Sequence, residues 1–264
     1  MKRLFIILGV IAIALWFLTP ILFIIVASLT TTSDYYNPKV IIPSRFTFEH
    51  LYKLFFTLGG LKATLTSVQV AAISMGISFL IGLPAGYAFT RYIFPGKNAI
   101  RLILLLTRSI PLIVIAVPLV VLYLKLNLAD SMMGVALAHA SMIIPFVVLI
   151  TSSIFSSISV EYEEAGMVFG LTRFQAFVRI TLPLAIPGLA ASAIFAFIMS
   201  WNEVFAASIL TISNRTLPAH ILSTAMASPD YFKFAAGTVM ALPAMVFIFF
   251  IRKYLITMWG ISLK

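Results

Sequence analysis

Few residues in this chain are of a type that does chemistry. There is no Cys among its 264 residues, which removes disulfides, thiol catalysis and Cys-bound metal. The three His, His50, His139 and His220, lie far apart without metal-ligand spacing. A Gly-x-x-x-x-Gly-Lys-Ser/Thr phosphate loop is missing, so the chain itself is not expected to hydrolyse ATP. No catalytic residue, metal or cofactor is therefore assigned. Two polar groups remain, and both suit recognition. One is the charged stretch from Ser159 to Pro183, with Glu161, Glu163 and Glu164 near its start and Arg173 and Arg179 further on. The other is Trp201-Asn202-Glu203, set inside an apolar run.

Polar residues at membrane depth are functional candidates by default. Asn202 and Glu203, beside Trp201, are read as candidates for lining a solute pathway. Ser192, Phe195, Met199 and Asn202 recur at i, i+3, i+7 and i+10, which places them on one helical face. The competing reading is that Asn202 and Glu203 only bond to neighbouring helices. Arg108 also falls inside an apolar run, just before Ser109-Ile110-Pro111. An arginine there either faces protein or water, or snorkels to an interface. His139 is read as a satisfied packing residue and Tyr123 as an interfacial aromatic.

The elements that carry these residues are set by composition. The chain is 62% hydrophobic and 10% charged, with a mean hydropathy of +1.11. A soluble domain carries about 25% charged residues, so lipid must be the solvent for most of this chain. The expected fold is an all-α polytopic membrane protein with six transmembrane helices. They are placed at Leu4–Leu29, Leu61–Thr90, Ala99–Leu124, Met132–Ile150, Gly188–Leu210 and Phe234–Ile251. Val26-Ala27-Ser28 also resembles a signal-peptidase site, but the first run is long for a signal core. Small residues at Ala71, Ser74, Gly76, Ser78, Gly82 and Gly86 predict a second span packed inside a bundle. The piece Thr47–Phe56 reads as a short interfacial helix, and Arg91, Pro95, Gly96 and Lys97 as a tight basic turn.

The net charge of +10 fits basic flanks facing anionic lipid better than nucleic acid. Six spans put both termini on one side. Ten basic residues, from Lys2 and Arg3 through Arg91 and Arg173 to Lys264, lie on that side, and seven, from Lys39 to Lys233, on the other, with Arg108 set apart. The bias places the termini and the charged stretch in the cytoplasm.

That stretch is a module of two capped helices. Ser159 suits a helix N-cap, and the three glutamates sit where the helix dipole favours anions. Gly170 suits the left-handed position after a helix, and Thr172-Arg-Phe-Gln175 has capping-box spacing. Phe174, Phe177 and Val178 fall at helical spacing on one face. Pro183 and Pro187 are expected to break the chain before the next span. On pattern alone, the module is either a docking surface or a loop folded back on its own helices.

Glu164-Ala165-Gly166, three residues, Gly170, nine residues and Ile180-Thr181-Leu182-Pro183 resemble the "EAA" loop of permease subunits in ATP-binding-cassette (ABC) importers. That pattern has a second Ala where this chain has Gly166. The turn Phe94-Pro95-Gly96, Trp201-Asn202 and the basic Arg252-Lys253 further resemble maltose- and trehalose-type carbohydrate permeases, although their usual Gly-Ala-Val-Lys-Gly ending is missing. The resemblance implies the type I importer permease fold as a single domain, 1–264, with a coupling loop at 157–187. It implies a second permease subunit, two ATPase subunits that bind the ATP, and an extracytoplasmic substrate-binding protein, in the cytoplasmic membrane. Glu163, Glu164, Ala165, Gly166, Met167, Phe169 and Gly170 would dock on the ATPase. Met199, Trp201, Asn202 and Glu203 would line the path of a sugar. Alternatives are another solute (glycerol phosphate, amino acid, polyamine), an ion-coupled secondary transporter, or a channel or structural protein.

Overall fold

A computed structural model describes residues 2–40, 42–225 and 228–258, except for the side chains of 2–4, 225, 247, 248 and 250 onward. The side chains of the basic pair Arg252-Lys253, and the whole of Lys264, fall outside the described residues. Helix is the regular structure of the described chain, apart from one isolated bridge between Thr30 and Phe46. The main helices are α1 (Lys2–Leu29), α2 (Gly60–Arg91), α3 (Lys97–Thr107), α4 (Leu112–Lys125), α5 (Met132–Ser156), α6 (Glu161–Val168), α7 (Arg173–Trp201), α8 (Phe205–Leu210), α9 (Leu217–Ala225) and α10 (Asp230–Met258).

Four described helices are long and apolar enough to cross a membrane: Phe5–Leu29, α2, α5 and α7. The α3–α4 pair makes a fifth if counted as one bent span. The sixth expected span, 234–251, lies within α10, part of whose side chains falls outside the described residues.

The centre of the fold is the α2–α5 pair, and its small residues explain it. Ser74 donates to the carbonyl of Ala136 (3.0 Å) and Ser78 to that of Ala140 (3.4 Å). Further along, Thr151 donates to Gly82 (3.1 Å) and Thr90 to Ser152 (3.0 Å). A Cβ on Gly86 would stand 2.0 Å from Thr151 Oγ1, so only glycine permits this approach. Gly76 departs from the expectation: a Cβ there would meet nothing within 4 Å.

Residue numbers rise together along both helices, so α2 and α5 are parallel, and α3 and α4 must return the chain between them. α7 runs against them, with Gly188 at Ile154 and Ser200 at His139. α10 lies antiparallel to α1, with Gly237 and Thr238 at Ile24 and the Tyr231 ring edge-to-face with Tyr35 just past α1's end. Most of α1 is uncovered apolar surface (Phe5 84% and Trp16 79% exposed), which suits hydrocarbon. The predicted interfacial helix appears as Glu49–Tyr52 with a π-helical turn at Lys53–Thr57. The basic turn is closed by Gly96 at φ +80°.

Three boundaries differ from the sequence reading. The third span is broken: α3 ends at Thr107, and α4 begins after Pro111 with a bend of 92°. Pro111 has no N–H and disfavours helical backbone at Ile110. The fifth span starts earlier and stops at Trp201 instead of Leu210. Glu203 there accepts backbone N–H bonds from Phe205, Ala206 and Ala207 and so starts α8 afresh. Pro183 and Pro187 do not break α7. A π-helical turn at Phe177–Thr181 widens the helix just before Pro183, which absorbs the missing donor.

Candidate functional site

The charged module is closed at its far end and capped at its second helix. The N-cap of α6 is Val160, which offers no side-chain bond, and the expected cap Ser159 stands one residue earlier, its Oγ accepting the N–H of Glu161 (3.3 Å). At the other end of α6, the N–H of Gly170 bonds to Met167 O (3.0 Å) and that of Leu171 to Gly166 O (3.1 Å). These two bonds form a Schellman motif, which requires the left-handed backbone seen at Gly170, φ +88°. Thr172 and Gln175 then make a reciprocal capping box (3.3 and 2.9 Å).

The module is pinned from within by one carboxylate. Glu163 is buried. Its oxygens accept Tyr87 Oη–H (2.5 Å), Thr181 Oγ1–H (2.7 Å) and Arg91 Nε–H (2.7 Å). Arg91 also donates to Ile158 O (2.9 Å). One side chain thus ties α6 to the end of α2 and to the start of α7. Burial opposes its charge, but the bonds from Tyr87, Thr181 and Arg91 outweigh that and hold the carboxyl below its ordinary value.

This geometry corrects two of the seven docking assignments. Glu163 faces the protein interior and is the module's anchor, so it is not available to a partner. Gly166, three residues on, shares that inner face and is buried against Ile180 and Leu171. Met167 is half-buried, while Glu164, Ala165, Phe169 and Gly170 face out. Val168 and Phe169 are 84% and 89% exposed, an apolar tip beside the Glu161 and Glu164 carboxylates. The second helix is likewise split. Phe177 packs against Tyr87 and Phe155, whereas Phe174 is exposed and does not share that face.

Gly166 yields a test. An added Cβ would stand 2.5 Å from Ile180 Cδ1, the movable end of a side chain, while alanine favours the helix by about 1 kcal/mol over glycine. Gly166→Ala is therefore expected to leave stability within about 1 kcal/mol of the parent, read as the thermal unfolding midpoint in detergent.

The second polar group is only partly convergent. Met199 lines a cleft of about 430 Å³ with Arg108, Thr107 and Ser141. The Arg108 guanidinium lies 4.9 Å from the centre of the Phe146 ring, which stacks on Phe195 at 4.3 Å. Trp201 is turned away and does not line this cleft. It is buried, and its Nε1–H donates to Met240 O (3.1 Å) on α10. Asn202 is exposed at the end of α7. Glu203 caps α8 and stands 3.0 Å from His139 Nε2, whose Nδ1 pairs with Ser200 Oγ (2.8 Å). His139 is a buried packing residue with polar partners. Tyr123 is buried among Val70, Val135 and Ala136 instead of lying at an interface. Sequence reasoning missed Tyr87, Arg91 and Thr181. The four-residue spacing of Tyr87 and Arg91 at a span's end was the available signal. Among the described residues, no cluster of His, Asp or Glu could hold a metal.

The described chain is thus a helical bundle with membrane-length apolar helices, carrying a capped helical turn whose tip faces outward. The chain belongs to the family described as binding-protein-dependent transport system inner membrane component, which matches residues 52–257. It is similar to the trehalose transport system permease protein SugB of Mycobacterium tuberculosis (29% identical, covering 90% of this chain and 89% of that one). It is also similar to the inner membrane ABC transporter permease protein YcjP of Escherichia coli (30% identical; 78% and 76% covered). Its fold resembles that of a chain in the crystal structure of a bacterial ABC transporter involved in the import of the acidic polysaccharide alginate (TM-score 0.77, 20% identity; 96% and 97% covered). The protein is thus a multi-pass permease subunit of an ABC importer in the inner membrane. It is not itself the ATPase, and its family works with ATPase and binding-protein partners.

Proposed function

We propose that the chain, a single domain of six spans, carries a sugar of about disaccharide size across the cytoplasmic membrane by alternating access. It does so as one half of a heterodimer with a second permease, driven by two ATPase subunits and supplied by an extracytoplasmic binding protein. Both termini and the module lie in the cytoplasm. Supporting the sugar are the names of similar proteins, one for trehalose and one for alginate. Supporting the docking site is one observation: the exposed Val168–Phe169 tip beside Glu164, on a helix locked from its other face by Glu163.

The geometry supplies a mechanism. The ATPase takes the tip of α6, with Glu164 as its charged contact. When the ATPase dimer closes, α6 moves as a rigid piece. The Glu163 bonds pass that displacement to α2 through Tyr87 and Arg91, and to α7 through Thr181. Both are long helices packed on α5, so they move as rigid bodies and switch the side from which the solute path opens.

Burying an exposed Phe side chain is worth about 1.5–3 kcal/mol. Phe169→Ala is therefore expected to weaken ATPase retention about ten- to a hundredfold while leaving the bundle's melting temperature unchanged. Retention by the tagged, detergent-solubilised permease pair measures it, and undiminished retention would argue against the docking surface. For the transport reading, labelled disaccharide should enter proteoliposomes holding the whole complex only with internal ATP. Uptake driven by an ion gradient without the ATPase would contradict it.

A further inference from the structure

Arg108 is a cation that the described protein leaves without a counter-charge. It sits at the break of the bent α3–α4 span, where an unpaired arginine is costly. Among the described residues it forms no ion pair, and its guanidinium makes only the contact with the Phe146 face. Glu203 does not compensate it, being occupied by His139 and the start of α8. The Phe146 ring stands against the guanidinium without taking a hydrogen bond, so the five N–H donors of its fixed fork have no partner among the described residues, and Arg108 lines the cleft.

The neighbouring hydroxyls have complementary roles. Thr107 Oγ1 donates its proton to Leu104 O (2.8 Å) and Ser141 Oγ to Ala138 O (2.7 Å). With their donors committed to their own helices, both present acceptor lone pairs to the cleft. The cleft therefore offers one forked cationic donor, two hydroxyl acceptors and apolar walls from Met199 and Ile115. Its volume of about 430 Å³ falls among small-molecule sites, roughly 300–1,000 Å³.

We propose that this cleft is a solute site for a hydroxyl-rich acid, an acidic saccharide or a sugar phosphate. Arg108 holds the anionic oxygens in a two-point grip, and Thr107 and Ser141 accept hydrogen bonds from the solute's hydroxyls. The inference rests on the permease reading above and narrows its substrate class. A carboxylate and a phosphate both fit the fork.

The test is saturation-transfer NMR on the permease–ATPase complex in nanodiscs, without binding protein. The probes are trehalose, trehalose 6-phosphate and a glucuronic-acid disaccharide. The wild type is expected to bind at least one acidic probe about tenfold or more tightly than trehalose. The better acidic probe identifies carboxylate or phosphate. Arg108→Gln should abolish the preference, and Arg108→Lys, which keeps the charge but not the fork, should reduce it. If Arg108→Gln fails to assemble, Arg108→Lys carries the comparison. Equal binding of neutral and acidic probes by the wild type, or an unchanged preference in the variants, overturns the proposal. ATP hydrolysis and ATPase retention, scored on the same samples, report on the permease reading separately. An assembled, ATP-hydrolysing complex without acid preference sinks only this inference. A chain that never retains an ATPase sinks both.

Discussion

Glu163→Ala is expected to detach the cytoplasmic module from the bundle. The substitution strips three hydrogen bonds from one buried carboxylate and leaves Arg91, itself 8% exposed, without its counter-charge. Breaking a buried pair by removing one partner costs about 3–5 kcal/mol. Differential scanning fluorimetry should show a large drop in melting temperature, and protease should cut between Ser159 and Thr172 at concentrations that spare the parent. ATP-driven uptake should fall with them, because the link from α6 to α2 and α7 is gone. Replacing both partners, Glu163→Leu with Arg91→Met, should recover part of the lost stability, since no charge is then stranded. An unchanged melting temperature for the single variant would refute the anchor role. The same carboxylate sets a pH dependence. Its folded value lies below the ordinary 4.5, so its contribution is complete above about that pH and is lost as pH falls through the lowered value. The parent should therefore lose this increment of stability in acid, and Glu163→Ala should lack it.

The second large effect is expected at Gly170, and it should be functional where the first is structural. A Cβ there would meet nothing within 4 Å, so space is not the constraint; the backbone at φ +88° is. A side chain in that region costs about 1–3 kcal/mol, and a β-branched one is placed at the upper end by crowding of its own backbone. Gly170→Val should turn the Schellman ending into another backbone path and re-aim Phe169 relative to the Glu163 anchor. The complex should still assemble, ATP hydrolysis should continue, and uptake per ATP should fall by about tenfold, the consequence of misplacing a contact by about 1 Å. Gly170→Asn, which tolerates the left-handed region, should retain most coupling. Undiminished uptake per ATP in Gly170→Val would remove the turn from the mechanism.

What could be read from the sequence was local. Helix caps act over three or four residues, so Gly170 and the Thr172–Gln175 pair were legible from residue type and spacing alone, and Ser159 was placed one residue from the cap position that Val160 holds. The apolar spans were also legible, as was the close-packed face of α2, because small residues at Ser74, Ser78, Gly82 and Gly86 mark where backbones meet. What failed depended on direction or distance. Glu161, Glu163 and Glu164 are the same residue type in one turn, and only the fold shows that the middle one points inward. Its partners Tyr87 and Arg91 lie more than seventy positions earlier. The triplet Trp201-Asn202-Glu203 was read as one surface, yet neighbours on a helix point about 100° apart. They in fact reach α10, the uncovered end of α7 and His139 respectively. The break at Arg108–Pro111 was concealed by the apolar run on both sides of it, although Pro111 carried the signal.

The docking of α6 on an ATPase is tested most directly by photo-crosslinking from the tip. Benzoylphenylalanine placed at Phe169, in the assembled complex in native-like membranes, should on illumination link this chain to the ATPase subunit. The same probe at Ile212, 79% exposed at the opposite end of the bundle, should not. Crosslinks from position 169 that reach only lipid or this chain's own helices, in a complex that still couples ATP hydrolysis to uptake, would contradict the assignment.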